Sequence, residues 1–411
     1  ELVDLLPQLQ ISETTPARDR RCAACAGIAA TQFRTGLTML TGSSLMEATP
    51  YGLSNIFQIR KRAGIDIVDR AHKFLHMASN PEIALAIVGS HTTAICAELV
   101  AQLGIYPEFV AISRRGATTL LPVVLNGDEW GKRLKHPGLL GAGKLIQGFL
   151  DEIGALTGGR SFDCFIHHSK DPFSQLLSDH PLCRKYFYIE EGFTALTGGT
   201  FGRPKKRPRQ KLIWNLRSRI FYRGRINRYR DFFDTSAPNY GGVFALSKGG
   251  FKNFPGRTQL ESRHLSLAVP LPSPLMIFLD SQYFLGNCTE EDYVRALCDS
   301  LREITGERAS AAIKFHPAES DPERKRRIME AVRSLGGINN LIDLPASFVG
   351  ERVEFSADAT VVVGTSALGL YLGERGFQTF TFAPRIAPSS AKYAKVLEGI
   401  PQEFREVCRS I

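Results

Sequence analysis

Two series of short apolar segments, alternating in part with helix-like stretches, constrain the fold of this chain more than any other feature. The segment IALAIVGS begins at Ile83, a helix-like stretch from Thr92 to Leu103 follows, and EFVAIS comes next. Continuous apolar runs are typical of strands buried on both faces, and the strand–helix–strand order predicts a parallel sheet. The candidate strands TLLPVVLN, FDCFIHHS and KYFYIEEG continue this first series.

A second series begins near Leu275, with the candidate strands PLMIFLDS, SAAIKFHP, NNLIDLP, ATVVVGTS and QTFTFAP. Helical patterns at Glu290 to Thr305 and Pro322 to Leu335 separate the first three. We therefore expect an α/β chain of two Rossmann-like domains that face a central cleft, where the carboxyl ends of their strands meet.

The expected division of the 411 residues has four parts. Residues 1–80 form an N-terminal extension in which no motif indicates a role. Residues 81–265 form the first Rossmann-like domain, on the acceptor side of the cleft, and residues 271–385 form the second. Residues 386–411 look like a helical segment.

Positive charge is concentrated in residues 203–230 of the first domain, which contain twelve Lys or Arg and no acid. The net charge of the whole chain is +10, so the remainder has no net positive charge. The segment is either a solvated face or a surface for a polyanionic acceptor or for acidic lipid head groups. Nucleic acid is not an expected partner, because no nucleic-acid-binding motif accompanies the charge.

Polar residues follow three of the candidate strands directly. Glu190 and Glu191 precede a glycine after KYFYI, His316 precedes a proline after AAIKF, and Thr365 and Ser366 follow ATVVVG. Because the carboxyl ends of parallel strands border the ligand site in doubly wound sheets, we expect these three groups to line the cleft.

These residue types suit the transfer of a group away from a phosphate. Adjacent residues of an extended chain point to opposite sides, so only one glutamate of the pair can face a given site and act as a base. His316 can donate a hydrogen bond or a proton to a departing phosphate. Thr365 and Ser366 offer two hydroxyls, and the start of the following helix offers backbone N–H groups to an anion.

In these motifs the chain resembles the bacterial sialyltransferases and capsular polysialyltransferases of GT-B fold. The shared signature is an acidic-acidic-Gly triplet, a His-Pro pair and a later pair of hydroxyl residues, and the opening IALAIVGSHTTAICAEL is also similar. The resemblance covers about residues 83 to 385.

The resemblance implies inverting transfer of sialic acid from CMP-sialic acid to a glycan hydroxyl, with no metal ion and no cofactor. Glu190 would be the base and His316 would assist the departure of CMP, while Thr365 and Ser366 would bind its phosphate. Glu351, in LPASFVGERV, would hold the cytidine ribose, although a glycine precedes it where the family prefers a bulky apolar residue.

Two alternatives remain open. One is a GT-B transferase for another nucleotide-activated sugar, acidic sugars included; the other is a non-catalytic protein that binds polyanions through residues 203–230. A dinucleotide oxidoreductase fits worse, because no G-x-G-x-x-G follows the strand at Ile83 or at Leu275.

The expected location is the cytoplasm, with peripheral contact to the inner membrane through residues 203–230 as a further option. No apolar run reaches the roughly 18 residues that a membrane-spanning helix needs. Cys22 and Cys25 have the spacing of zinc ligands, but no second pair of ligands follows to complete a four-ligand site.

Overall fold

The computed structural model describes residues 83–135, 141–199, 208–222, 224–227, 230–261, 269–305 and 309–411. The N-terminal extension, Cys22 and Cys25 therefore lie outside the described residues, as does part of the basic segment. Among the described helices, none is both long enough and apolar enough to cross a bilayer.

The first sheet has seven strands, all parallel, in the order β3-β2-β1-β4-β5-β6-β7. The strands are β1 Ile83–Val88, β2 Glu108–Ser113, β3 Val123–Asn126, β4 Phe162–Ile166, β5 Cys183–Ile189, β6 Tyr240–Ala245 and β7 Arg257–Gln259. The last two strands were not anticipated from the sequence.

The second sheet has six strands, again all parallel, in the order β10-β9-β8-β11-β12-β13. The strands are β8 Leu275–Phe278, β9 Ala309–Lys314, β10 Ile338–Asp343, β11 Thr360–Val363, β12 Gln378–Thr381 and β13 Cys408–Ser410. Each sheet begins with a third-second-first-fourth-fifth order, which is the Rossmann order. The expected α/β fold with two Rossmann-like sheets is confirmed.

Helices cover both sheets. The described helices are α1 His91–Gln102, α2 Gly127–Lys135, α3 Ala142–Leu156, α4 Pro172–Ser178, α5 Phe193–Leu196, α6 Pro208–Tyr222, α7 Glu290–Thr305, α8 Pro322–Ser334, α9 Ala367–Glu374, α10 Ala383–Ile386, α11 Ala391–Glu398 and α12 Gln402–Val407. Short 3-10 turns lie at Gly350–Arg352 and Ala387–Ser389. The chain after α10 thus contains two helices and then the edge strand β13.

Strand β1 shows why the first sheet is covered on both faces. Its larger side chains, Ile83, Leu85 and Ile87, point into one core, while Ala84 and Ala86 point into the other. All of them are at most 1% exposed. Side chains alternate along a strand, so the uninterrupted apolar run IALAIV supplies two cores at once. Helix α1 packs against the face that carries the alanines.

The two sheets contact each other through the loops at the carboxyl ends of their strands. Tyr371 of α9 donates a hydrogen bond to Glu190, and Thr92 of α1 donates one to Glu351. We call this region the sheet junction. Two parallel sheets that meet there form the GT-B-type arrangement, and the junction is where the predicted site residues lie.

Candidate functional site

Glu190 follows β5 at the sheet junction, and its carboxylate is completely enclosed. The residue has 0% exposure. Oε2 accepts backbone N–H bonds from Leu246 and Ser247 at 2.7 and 2.9 Å. Oε1 accepts from Ser247 Oγ at 2.5 Å and from the Tyr371 hydroxyl at 3.0 Å. Burial raises the pKa of Glu190, while these hydrogen bonds act in the opposite direction.

Glu191 is the accessible acid of the pair. Its side chain is 20% exposed, with Oε2 3.8 Å from His167 Nε2 and Oε1 3.6 Å from Arg115 Nη1. Burial raises the pKa of Glu191, and the positive charge of Arg115 acts against that increase. The two glutamates point to different surroundings, as expected for neighbours on an extended chain.

Two adjacent histidines follow β4 beside Glu191. Burial lowers the pKa of His167 to about 4 and that of His168 to about 3, so both rings are neutral at pH 7. Neither ring nitrogen of His167 has a hydrogen-bond partner. The two rings and Glu191 offer ligand atoms within 4.8 Å of one another, which could hold a metal ion. The charge of Asp171 raises the pKa of His167, while the charges of Arg115 and Arg114 lower it, so the charges around this group act in both directions.

The acid-acid-Gly triplet meets the helix that follows the hydroxyl pair. Gly192 adopts φ 56° and ψ −150°, a conformation that strongly favours glycine, and the chain turns there into α5. A Cβ at Gly192 would lie 3.6 Å from the Cβ of Ala367, the first residue of α9. Together with the Glu190–Tyr371 bond, this contact brings two of the three sequence motifs together.

The hydroxyl pair consists of one enclosed and one accessible residue. Thr365 is 7% exposed, and its N–H and hydroxyl both donate to Asp280 Oδ2, at 2.6 and 2.9 Å. Ser366 is partly exposed and caps α9 by accepting from the N–H of Leu368 at 3.3 Å. The Thr365 hydroxyl thus already donates to Asp280, whereas the Ser366 hydroxyl can still donate a hydrogen bond to an anion.

His316 lies after β9, partly exposed. Its Nδ1 accepts the N–H of Ala318 at 3.1 Å. Because Nδ1 is the acceptor, the neutral ring carries its proton on Nε2, which can donate to a ligand. Burial lowers the pKa of His316, and the charge of Asp280 acts against that decrease.

Glu351 lies in the 3-10 turn before β11 and reaches the first sheet. Thr92 Oγ1 donates to its Oε1 at 3.2 Å, and Arg375 Nη1 donates to its backbone carbonyl at 2.7 Å. A Cβ at the preceding Gly350 would approach Phe278 and Leu368 to 2.7 and 2.8 Å. This close packing explains why a glycine precedes Glu351 in this chain.

The acid pair thus contacts the start of α9 directly. His316 is linked to Thr365 less directly: burial lowers the pKa of His316, and the charge of Asp280, which accepts hydrogen bonds from Thr365, acts against that decrease. None of the four hydrogen bonds to the Glu190 carboxylate comes from His316. Asp280, His167 and Tyr371 were not among the site residues predicted from the sequence. The first two follow candidate strands directly, in LDS and IHHS, so the same strand-end rule would have found them.

Comparisons with known proteins leave the family open. No protein-family model matches the chain, and no curated protein matches it. A UDP-GlcNAc 2-epimerase from Neisseria meningitidis bound to UDP-GlcNAc is 7% identical, with 79% of this chain and 94% of that chain covered and a TM-score of 0.38. The spinosyn rhamnosyltransferase SpnG complexed with thymidine diphosphate is 11% identical, with 79% and 95% covered and a TM-score of 0.34. Similarities this low carry no argument about activity.

Proposed function

We propose that the sheet junction transfers a sugar from a nucleotide donor to a hydroxyl acceptor, with sialic acid on CMP as the donor that the resemblance implies. The observation that carries the proposal is the meeting of Glu190 and Gly192 with α9, the helix that follows Thr365 and Ser366. A proton acceptor from one sheet thereby lies beside a helix start from the other that is suited to a phosphate.

In the proposed reaction the acceptor oxygen attacks the anomeric carbon of the sugar while a carboxylate takes the hydroxyl proton. The bond between the anomeric carbon and the phosphate oxygen breaks, and CMP leaves with the electron pair. His316 Nε2–H donates to the departing phosphate, and the Ser366 hydroxyl and the N–H of Ala367 at the start of α9 bind it. Because these donors are already in position before the reaction, they stabilise the developing negative charge of the phosphate without having to rearrange.

The assignment of the base to Glu190 stays a prediction. Its carboxylate can accept a proton from an acceptor only after the Tyr371 hydroxyl moves away, because Ser247 and Tyr371 occupy Oε1. Glu191 competes for the role, since its carboxylate is partly exposed at the same strand end. The roles of Thr365 as a phosphate ligand and of Glu351 as a ribose ligand likewise stay proposals.

The deciding experiment measures CMP release from CMP-sialic acid with a panel of glycan acceptors, with and without EDTA. Loss of a general base typically costs about 10²- to 10⁴-fold in rate. Loss on that scale in Glu190→Gln with Glu191→Gln near normal identifies Glu190, and the reverse pattern identifies Glu191.

Parallel reactions with UDP- and TDP-sugars test other donors. Turnover with one of these sugars and none with CMP-sialic acid would show that the donor is a UDP- or TDP-sugar instead. Absence of turnover and of nucleotide binding with every donor would overturn the transferase proposal in favour of a non-catalytic polyanion-binding protein.

A further inference from the structure

The basic segment is not used by the proposed transfer reaction, and the structure gives its central part a definite form. Residues Pro208–Tyr222 form helix α6. One side of α6 packs on the first domain through Ser218 and Tyr222, which are 4% and 3% exposed. Ser218 Oγ also donates to the carbonyl of Ile226, which fixes the helix to the chain that follows it.

The opposite side of α6 exposes aliphatic side chains. Leu212, Ile213, Leu216 and Ile220 are 73%, 65%, 60% and 62% exposed. Residues 212, 216 and 220 are four apart and 213 lies beside them, so all four share one face of the helix. Single exposed aliphatic residues are ordinary, but four on one helical face form a patch that indicates a binding surface.

Only positive charges accompany this patch on α6. The helix contains Arg209, Lys211, Arg217 and Arg219 and no acidic residue, and Arg219 is exposed. A soluble polyanion would use the cations but gains nothing from four aliphatic side chains. An anionic bilayer uses both, because aliphatic groups enter the boundary with the acyl chains while Lys and Arg remain among the head groups.

We propose that α6 is a membrane-surface helix that docks the protein on anionic lipid bilayers through Leu212, Ile213, Leu216 and Ile220. The helix lies in the plane of the interface, and the exposed Arg219 contacts the anionic head groups. The proposal goes beyond the transferase activity and does not depend on it. A membrane-bound acceptor would be held near the first domain by such docking.

The test is co-sedimentation of the full chain with vesicles of phosphatidylcholine alone and of phosphatidylcholine mixed with phosphatidylglycerol. We expect binding to the mixed vesicles only, weakened by added salt. Leu216→Glu removes one aliphatic group that would enter the bilayer and adds a negative charge that the anionic lipids repel. The affinity for the mixed vesicles should therefore fall about 30-fold or more. The matched control is Leu335→Glu, because Leu335 is 57% exposed and lies after α8, away from α6 in the chain. The Leu335→Glu variant should bind the mixed vesicles as tightly as the unmodified chain does.

Three results would overturn the proposal. Equal vesicle binding by Leu216→Glu and the unmodified chain would show that the aliphatic face is not used. Tight, salt-sensitive binding of heparin with no binding to the mixed vesicles would assign the segment to polyanions. A lowered thermal midpoint in Leu216→Glu, or conversion of a dimer to a monomer in light scattering, would show that this face is covered by another part of the chain or by a second copy.

Discussion

At the scale of single residues, the sheet junction contains polar groups whose partners are already assigned. The Glu190 carboxylate accepts hydrogen bonds from two backbone N–H groups and two hydroxyls, and the residue is fully buried. A carboxylate so placed is stabilised by its hydrogen bonds and destabilised by burial, and burial is the larger effect on its pKa. The residue therefore has a structural role whatever its part in catalysis.

Glu190→Ala should lower the free energy of unfolding by about 2–4 kcal/mol, because it leaves two buried N–H groups unpaired and opens a cavity. Glu190→Gln should cost less, since its NH₂ can face the Ser247 and Tyr371 hydroxyls, which can turn to accept. Denaturant unfolding of both variants measures the difference, and equal losses would contradict it.

The Glu190 carboxyl also predicts that the stability of the protein depends on pH. Its pKa is raised in the folded state, so the folded protein binds more protons than the unfolded chain between the ordinary and the raised pKa. The stability of the unmodified protein relative to Glu190→Gln should therefore fall as pH rises through that window. A relative stability that rises with pH would contradict the raised pKa.

His316 should act as a neutral hydrogen-bond donor. His316→Ala should lower kcat about 10²-fold, the usual effect of losing one such donor, and His316→Gln should recover part of it. Because burial lowers the pKa of His316, kcat should show no alkaline limb near pH 6–7. A limb that disappears in His316→Gln would show that the protonated ring is required instead.

At the scale of elements, the 3-10 turn Gly350–Arg352 links both sheets. Glu351 contacts α1, and Gly350 leaves room for Phe278 of β8 and Leu368 of α9. A side chain at position 350 would displace these neighbours and with them the turn that carries Glu351. The packing of β8 and α9 thus determines which residue can precede Glu351.

Gly350→Ala should destabilise the protein by about 1–3 kcal/mol through this overpacking. The matched control is Gly154→Ala, because Gly154 lies in α3 with no neighbour within 4 Å of an added Cβ. That variant should be neutral or more stable by up to about 1 kcal/mol, since alanine favours helix. Thermal unfolding of the two variants gives the comparison, and equal effects would contradict the packing argument.

At the scale of the whole described unit, the two sheets are joined by a buried ion pair as well as by the Glu190–Tyr371 bond. Arg352, in the 3-10 turn before β11, pairs with Glu98 of α1, and their side chains are 8% and 4% exposed. Removing one partner of such a pair leaves a buried charge without full compensation. The pair therefore couples the stability of one sheet to that of the other.

Arg352→Met should lower the free energy of unfolding by about 3 kcal/mol. Arg326→Met is the control, because Arg326 pairs with Glu323 and Glu330 on the surface of α8 and its side chain is 57% exposed. That change should be within about 1 kcal/mol of zero. Calorimetry of both variants tests the difference, and a cost at Arg352 no larger than at Arg326 would refute the coupling.

The sequence was sufficient to predict the α/β class, the two parallel sheets and the strand ends that carry polar residues. It could do so because a strand buried on both faces must be apolar throughout, and polarity returns where the strand ends. The strands β6, β7 and β13 were missed. Strand β6 contains two glycines, and β7 and β13 are only three residues long, so neither pattern nor length marked them.

Which polar groups remain available to a ligand depends on contacts that form only in the folded protein. Ser247 and Tyr371, which lie 57 and 181 residues away in the chain, donate hydrogen bonds to Glu190 and help to enclose it. Likewise, the Thr365 hydroxyl donates a hydrogen bond to Asp280, which lies 85 residues away in the chain. Hydrogen bonds and burial are set by neighbours in space, and the local pattern of a sequence does not encode which distant segment supplies them.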